Sequence, residues 1–251
     1  DRVGDPQLSQ DGRYAAFGVR STDYAANKGV GAIYVLDLSA AGAQPVKVVD
    51  KGGSPRWAVD GRSLYFMAPA KGVDQLWRVD LGDGAGLNLV GHAAAVQVSH
   101  GALDLGGYKL SPDGRQVLLS YEVFTDCATL ACTQQRVDAR EKDKASGTIY
   151  KKLFVRHWDT WANGRRNQLF VGQFDGKGQL AAEPKLLSRG IDGDVPSKPF
   201  GDEGEFSFSP DGKTVYFDVR IAGTSEPWST NFDVYSVPAD GSAAPRNLTA
   251  E

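Results

Sequence analysis

Four times along the chain a large apolar residue is followed by a polar Asp-Gly turn and then by a short, mostly apolar run. The stretches are "SQDGRYAAF" from Ser9, "AVDGRSLYF" from Ala58, "SPDGRQVLLS" from Ser111 and "SPDGKTVYF" from Ser209, preceded by Leu8, Trp57, Leu110 and Phe208. Asp-Gly accepts the positive φ that reverses a hairpin, and proline presets the first turn position. Each stretch therefore predicts a strand, a tight turn and a second strand. One face of that second strand carries Ala15/Phe17, Leu64/Phe66, Val117/Leu119 and Val215/Phe217, and the other carries Ala16, Tyr65, Leu118 and Tyr216. Apolar residues on both faces imply a sheet covered on both sides, as a blade between two neighbours is.

A third strand follows in every copy ("AIYVLDL", "QLWRVDL", "NQLFVGQFD", "FDVYSVPAD"), with Tyr34, Trp77, Phe170 and Tyr235 as its aligned aromatics. A fourth, outer strand closes each copy ("QPVKVVD", "GLNLVGH", "EPKLLSR", "APRNLTA"). Four strands written four times, with almost no helical period, predict an all-β fold, a β-propeller of four-stranded antiparallel blades. The turn aspartates Asp11, Asp60, Asp113 and Asp211 are 49, 53 and 98 residues apart. Periods of about 40–50 residues are those of propeller blades. The expected blades span 5–50, 54–92, 106–189 and 204–250 of one partial propeller domain, 1–251. In this reading the aspartates and glycines of the turns serve geometry rather than calcium or catalysis.

The third repeat is irregular, with an insertion at 122–166. Long loops inside a compact domain are usually functional or disordered. The insertion opens on Glu122 and "DCATLACT", continues through the charged "QRVDAREKDKASGT", which predicts a short exposed helix containing Glu141, and ends in "IYKKLFVRHWDTWANGRR". There Trp158 and Trp161 crowd against Arg156 and His157. Aromatics beside charges either contact a ligand or another domain, or pin the insertion onto its own blade. Cys127 and Cys132, the two cysteines of the chain, are close together in a polar segment, which favours a local disulfide and a compartment outside the reducing cytosol.

Bulk composition narrows the classes further. With 28 basic and 31 acidic residues scattered along 251, there is no phosphate-binding stripe, so nucleic acid is disfavoured. No apolar run approaches the ~20 residues of a membrane span. The three histidines, His92, His100 and His157, form no zinc-ligand spacing, and no Gly-x-Ser-x-Gly elbow is present. Neither a metal, a cofactor nor a catalytic residue is expected in this chain. The start at "DRVGDPQLS", already inside the first repeat, reads as a mature or trimmed end.

The "SPDG" hairpins, the opening "RVGDPQLSQDGRYAAF" and above all "LFVRHWDTWANGRRNQLFV" resemble the N-terminal propeller of the prolyl oligopeptidase family, especially its bacterial dipeptidyl aminopeptidase and acylaminoacyl-peptidase-like members. The resemblance covers essentially the whole chain. It implies a seven- or eight-bladed ring of which four blades are legible, joined to an α/β-hydrolase domain with a Ser-Asp-His triad that is not legible here. It implies a periplasmic or secreted serine peptidase whose propeller gates short peptide substrates, with the remaining blades and the hydrolase domain as partners. The substrate-contact candidates are Glu122, Glu141, Arg156, His157, Trp158 and Trp161, although the adjacent Glu-Glu pair of dipeptidyl-peptidase relatives is missing. Tol-system propellers share the hairpins, and a stand-alone binding propeller without enzymatic activity is the alternative.

Overall fold

The computed structural model describes residues 1–82, 86–150, 153, 155–157 and 159–250. Trp158 and Phe154 lie outside the described residues. The chain forms four antiparallel four-stranded sheets, each in simple strand order, in two compact units of two sheets each.

The first unit comprises Asp1–His100 together with the turn Asp175–Leu180. Its first blade is β1 (Arg2–Leu8), β2 (Tyr14–Asp23), β3 (Lys28–Asp37) and β4 (Val46–Val49); its second is β5 (Gly53–Trp57), β6 (Ser63–Ala70), β7 (Val73–Asp80) and β8 (Val96–Gln97). Ala16, Ile33 and Val35 of the first blade pack against Leu64, Phe66 and Val79 of the second. Each of the larger of these side chains stabilises the fold by roughly 1.5–3 kcal/mol when fully buried. The opposite face of the first blade, with Leu8, Phe17 and Tyr34, is not part of this core, and Phe17 and Tyr34 stack there at 6.1 Å.

The second unit runs over Gly101–Phe174 and from Ala181 onward. Its blades are β9 (Leu105–Leu110), β10 (Gln116–Val123), β13 (Arg166–Gln173) and β14 (Lys185–Leu186), then β15 (Phe206–Phe208), β16 (Thr214–Val219), β17 (Asp233–Pro238) and β18 (Arg246–Asn247). Leu118, Leu169 and Val171 pack against Phe206, Val215, Phe217 and Val237. Between β10 and β13 the insertion holds helix α1 (Leu130–Lys142) and a small hairpin, β11 (Arg156–His157) with β12 (Thr160–Trp161).

The repeated turn closes through its own side chains. In the first, third and fourth blades a serine hydroxyl (Ser9, Ser111, Ser209) donates to the turn aspartate at 2.6–2.7 Å. It also accepts the backbone N–H five residues on, at 2.8–2.9 Å. In the second blade Ala58 cannot do this, and Ser63 donates to Asp60 from the other side at 3.0 Å. The turn glycines Gly12, Gly61, Gly114 and Gly212 sit at φ of 65–70°, which a side chain would strain.

A second repeated device joins strand three to the end of strand four. Ser99 donates to Gln75 at 2.8 Å and accepts from Leu76 N at 2.9 Å. Ser188 donates to Gln168 at 2.7 Å and accepts from Leu169 N at 2.9 Å. Thr249, Asp233 and Val234 N repeat the arrangement at 2.9 and 3.0 Å. In the first blade the position of the glutamine is Ala32.

Three expectations need correction. The fourth strand of the second blade is Val96–Gln97 rather than "GLNLVGH". Asn88 captures Gly91 N at 2.7 Å, a local side-chain turn that competes with strand pairing. The helix begins at Leu130, before the charged run, because Thr129 caps Cys132 N, and it stops at Lys142, short of "DKASGT". Finally, the second face of strand two, expected to be covered in every blade, is buried at Ala16, Tyr65 and Leu118 but not in the fourth blade, where Tyr216 is 41% exposed.

Candidate functional site

In the second unit the two ends of the blades differ in chemistry. At one end lie the serine–aspartate turns. At the other end strand two leaves for strand three and the chain passes on from β14 to β15. That end carries the insertion, an ion-pair network and exposed aromatics.

The network is built from strand termini. Glu122, next to last in β10, pairs in register with Asn167, and Val123 with Arg166, the first residue of β13. One Glu122 oxygen accepts from Lys198 Nζ; the other accepts from Asn163 at 3.1 Å and forms an ion pair with Arg165 at 2.8 Å. Burial alone would raise the Glu122 carboxyl, but the Lys198 and Arg165 charges outweigh it and hold the group below the usual carboxylate range. Arg166 donates to both oxygens of Glu226, at 2.5 and 2.7 Å, and to Asp194 at 2.9 Å. These bonds raise the Arg166 guanidinium above its ordinary range and lower Glu226. Asp194 in turn accepts from Asn167 N at 2.8 Å and lies 3.5 Å from Lys198. Strand ends, the link between blades and the loop of the fourth blade are thus tied at one place.

The insertion is anchored on the same end. Cys127 and Cys132 are disulfide-bonded, as their spacing predicts. Phe124 N donates to Thr133 Oγ1 at 3.2 Å, Arg136 forms two hydrogen bonds to Asp126 at 2.6 and 2.8 Å, and the Arg136 and Arg140 guanidiniums stack on Phe124. Arg140 also donates to Asn163 O at 2.6 Å, joining the helix to the network. Beyond the helix, Arg156 lies over the Trp161 ring at 5.3 Å and Tyr150 is 6.0 Å from it.

Of the candidates, Arg156 and Trp161 are therefore neighbours, and Arg156 and His157 share β11. Glu141 is exposed on the last turn of α1. Glu122 is paired with Lys198 and Arg165 and accepts from Asn163. Sequence reasoning missed Arg166, Asp194, Lys198 and Glu226. Their signal was faint: "GRR" where the insertion rejoins its blade, and a lysine between the prolines of "VPSKPF". In the first unit an open cleft lies between the turns of Asp11 and Asp60, but its Arg13 is paired with Asp37.

No family model matches the chain. It is 28% identical over 236 residues to dipeptidyl-peptidase 5 of Porphyromonas gingivalis, covering 93% of this chain and 32% of that protein. Dipeptidyl-peptidase 5 of Porphyromonas endodontalis is 27% identical over 241 residues, again covering 93% of this chain and 32% of that protein. The chain thus spans about a third of the length of these relatives. Among solved structures, uncomplexed Pyrococcus horikoshii acylaminoacyl peptidase superposes with a TM-score of 0.61 at 14% identity, over 99% of this chain and 32% of that one. At that identity the likeness is one of fold. The chain is similar along most of its length to part of the dipeptidyl-peptidases 5, and its four-stranded blades have a β-propeller fold like that of part of the acylaminoacyl peptidase structure.

Proposed function

We propose that this chain is the non-catalytic, substrate-gating propeller portion of a serine exopeptidase that cleaves short peptides. The α/β-hydrolase domain and the remaining blades of a seven- or eight-bladed ring would be supplied by the rest of that protein. The observation that carries this reading is similarity running through 93% of the chain to about a third of a dipeptidyl-peptidase. The parent reaction is acyl transfer from a serine activated by histidine, with an oxyanion hole. The contribution of this chain is steric and electrostatic: blade ends narrow the approach, folded proteins are excluded, and an extended peptide passes. The network around Glu122 and Arg166 keeps the strand-two end of the second unit rigid enough to act as such a wall. A disulfide persists where thiols are not kept reduced, which supports a periplasmic or secreted location.

The test compares the 251-residue chain with the product of its complete reading frame on dipeptidyl chromogenic substrates. The chain alone is expected to give no turnover, and the complete product to cleave and to lose activity when its nucleophilic serine is replaced. A complete product without a hydrolase domain would favour the stand-alone binding propeller instead.

A further inference from the structure

Whether a chain can be cut without being unfolded depends on the exposure and the hydrogen bonds of its backbone. A protease takes its substrate as an extended segment, so a bond in a ladder, a helix or a tight turn stays out of reach until that structure opens. Among the described residues, 143–150 is the longest run outside any strand, helix or turn, and all eight of its residues are exposed. Asp143, which ends α1, is already extended at φ −69° and ψ 129°. Its carboxylate accepts from Ala145 N at 2.9 Å, an exposed bond that water can replace, and Gly147 has open space where a side chain would stand. Lys144 is the basic residue of this run. The other described Lys and Arg lie in strands, in α1, in turns or bends, or, as Arg165 and Arg220 do, next to a strand with the side chain bonded.

Both sides of the run are held together independently of it. Gln116–Val123 of β10 pairs along its whole length with Arg166–Gln173 of β13. Leu118, upstream of the run, is packed in one core with Leu169, Val171 and Phe217, downstream of it. Arg140 donates to Asn163 O at 2.6 Å, and Lys198 and Arg165 pair with Glu122, so bonds cross the run at the base of the insertion as well. A break after Lys144 therefore removes none of these ladder, core or ion-pair contacts. What it removes is the tether, a matter of loop closure rather than of packing.

We propose that the Lys144–Ala145 peptide bond is a processing site for a Lys/Arg-specific endopeptidase, and that the cleaved chain stays folded as two associated pieces, 1–144 and 145–251. Lys144 enters an acidic specificity pocket of the trypsin type, and the small residues Ala145, Ser146 and Gly147 follow through the cleft without obstruction. The carbonyl carbon of Lys144 parts from the nitrogen of Ala145. Water supplies the oxygen that makes the first a carboxylate, and its protons make the second an ammonium terminus. The cut opens the insertion without opening the blade.

Limited digestion of the 251-residue chain with trypsin tests this, read by intact mass and by size exclusion with and without urea. The expected result is a first cut after Lys144, giving two pieces that coelute in buffer and separate in urea. Lys144→Gln should slow that cut at least about tenfold, and Lys144→Arg should restore it. Both variants should melt as the parent chain does, because the site is exposed. A first cut elsewhere, no cut under conditions that digest the unfolded chain, or equally fast cleavage of Lys144→Gln would overturn the proposal. So would separation or precipitation of the pieces in buffer, which would make the cut a step of degradation.

Discussion

Arg166 holds three groups that belong to different parts of the second unit: its own strand end, Asp194 of the link and Glu226 of the fourth-blade loop. Removing it leaves partly buried carboxylates without their cation. Arg166→Ala should therefore cost about 3 kcal/mol in urea unfolding. Arg166→Lys should recover only part of this, since an ammonium cannot bridge both oxygens of Glu226. A loss below about 1 kcal/mol would place the network with ordinary surface pairs. Acid should find the same residues. Glu122 and Glu226 both have folded-state values below their ordinary 4.5, so the folded chain binds fewer protons there than the unfolded chain. Their stabilisation is complete above pH 4.5 and is lost as pH falls from there through the lower folded values. Tm measured against pH should turn down below that point, and less so in Glu226→Gln. Asp218 has the opposite sign: burial first, and Glu205 second, raise it, so its charge is a burden near neutrality. Asp218→Asn should leave the chain as stable or slightly more stable at pH 7.

At the scale of elements, the turns and the helix make separate predictions. Gly212→Ala at φ 70° should destabilise by about 1 kcal/mol or more, whereas a Gly→Ala change at an ordinary φ would not. Replacing both cysteines with serine should lose at most about 2 kcal/mol. Helix α1 should survive this, because Thr133, the Arg136–Asp126 pair and the stack on Phe124 still hold it; hydrogen exchange in α1 would report the change. The hairpins were legible because Asp-Gly between apolar runs is a short-range signal with a short-range cause. The sheets were legible because every second strand is apolar on both faces. The strand-four ends were not. Two residues of ladder leave almost no period, and "GLNLVGH" looks like a strand until Asn88 turns it. Nor was the network around Arg166 legible. Its bonded partners are up to 76 residues apart, as Lys198 is from Glu122, and no local pattern marks a charge that folding will pair. The disulfide was readable because its partners are five residues apart.

At the scale of the whole molecule, the outward face of the first blade sets the behaviour in solution. Leu8 is 66% exposed beside Phe17 and Tyr34, and uncovered apolar patches generally mark interfaces. The chain on its own should bind an apolar dye and associate in light scattering, with Phe17→Asp reducing both; a sharply melting monomer that binds no dye would contradict this. Tyr216→Asp, on a half-open face of the fourth blade, should be tolerated in this chain. The bond between hydroxyl and glutamine or aspartate near the ends of strands three and four has a consequence for time rather than for stability. Its partners are 24, 20 and 16 residues apart in the second, third and fourth blades, and the long insertion lies outside that loop. Short-range closure is fast, and a chain emerging from the ribosome meets its nearest contacts first. Each of these blades can clasp itself as soon as its own fourth strand is synthesised. The first blade has no such clasp and must wait for the second. Pulse-labelling during refolding should therefore find Leu76, Leu169 and Val234 amides protected before that of Ile33, so that the second, third and fourth of these blades close ahead of the first.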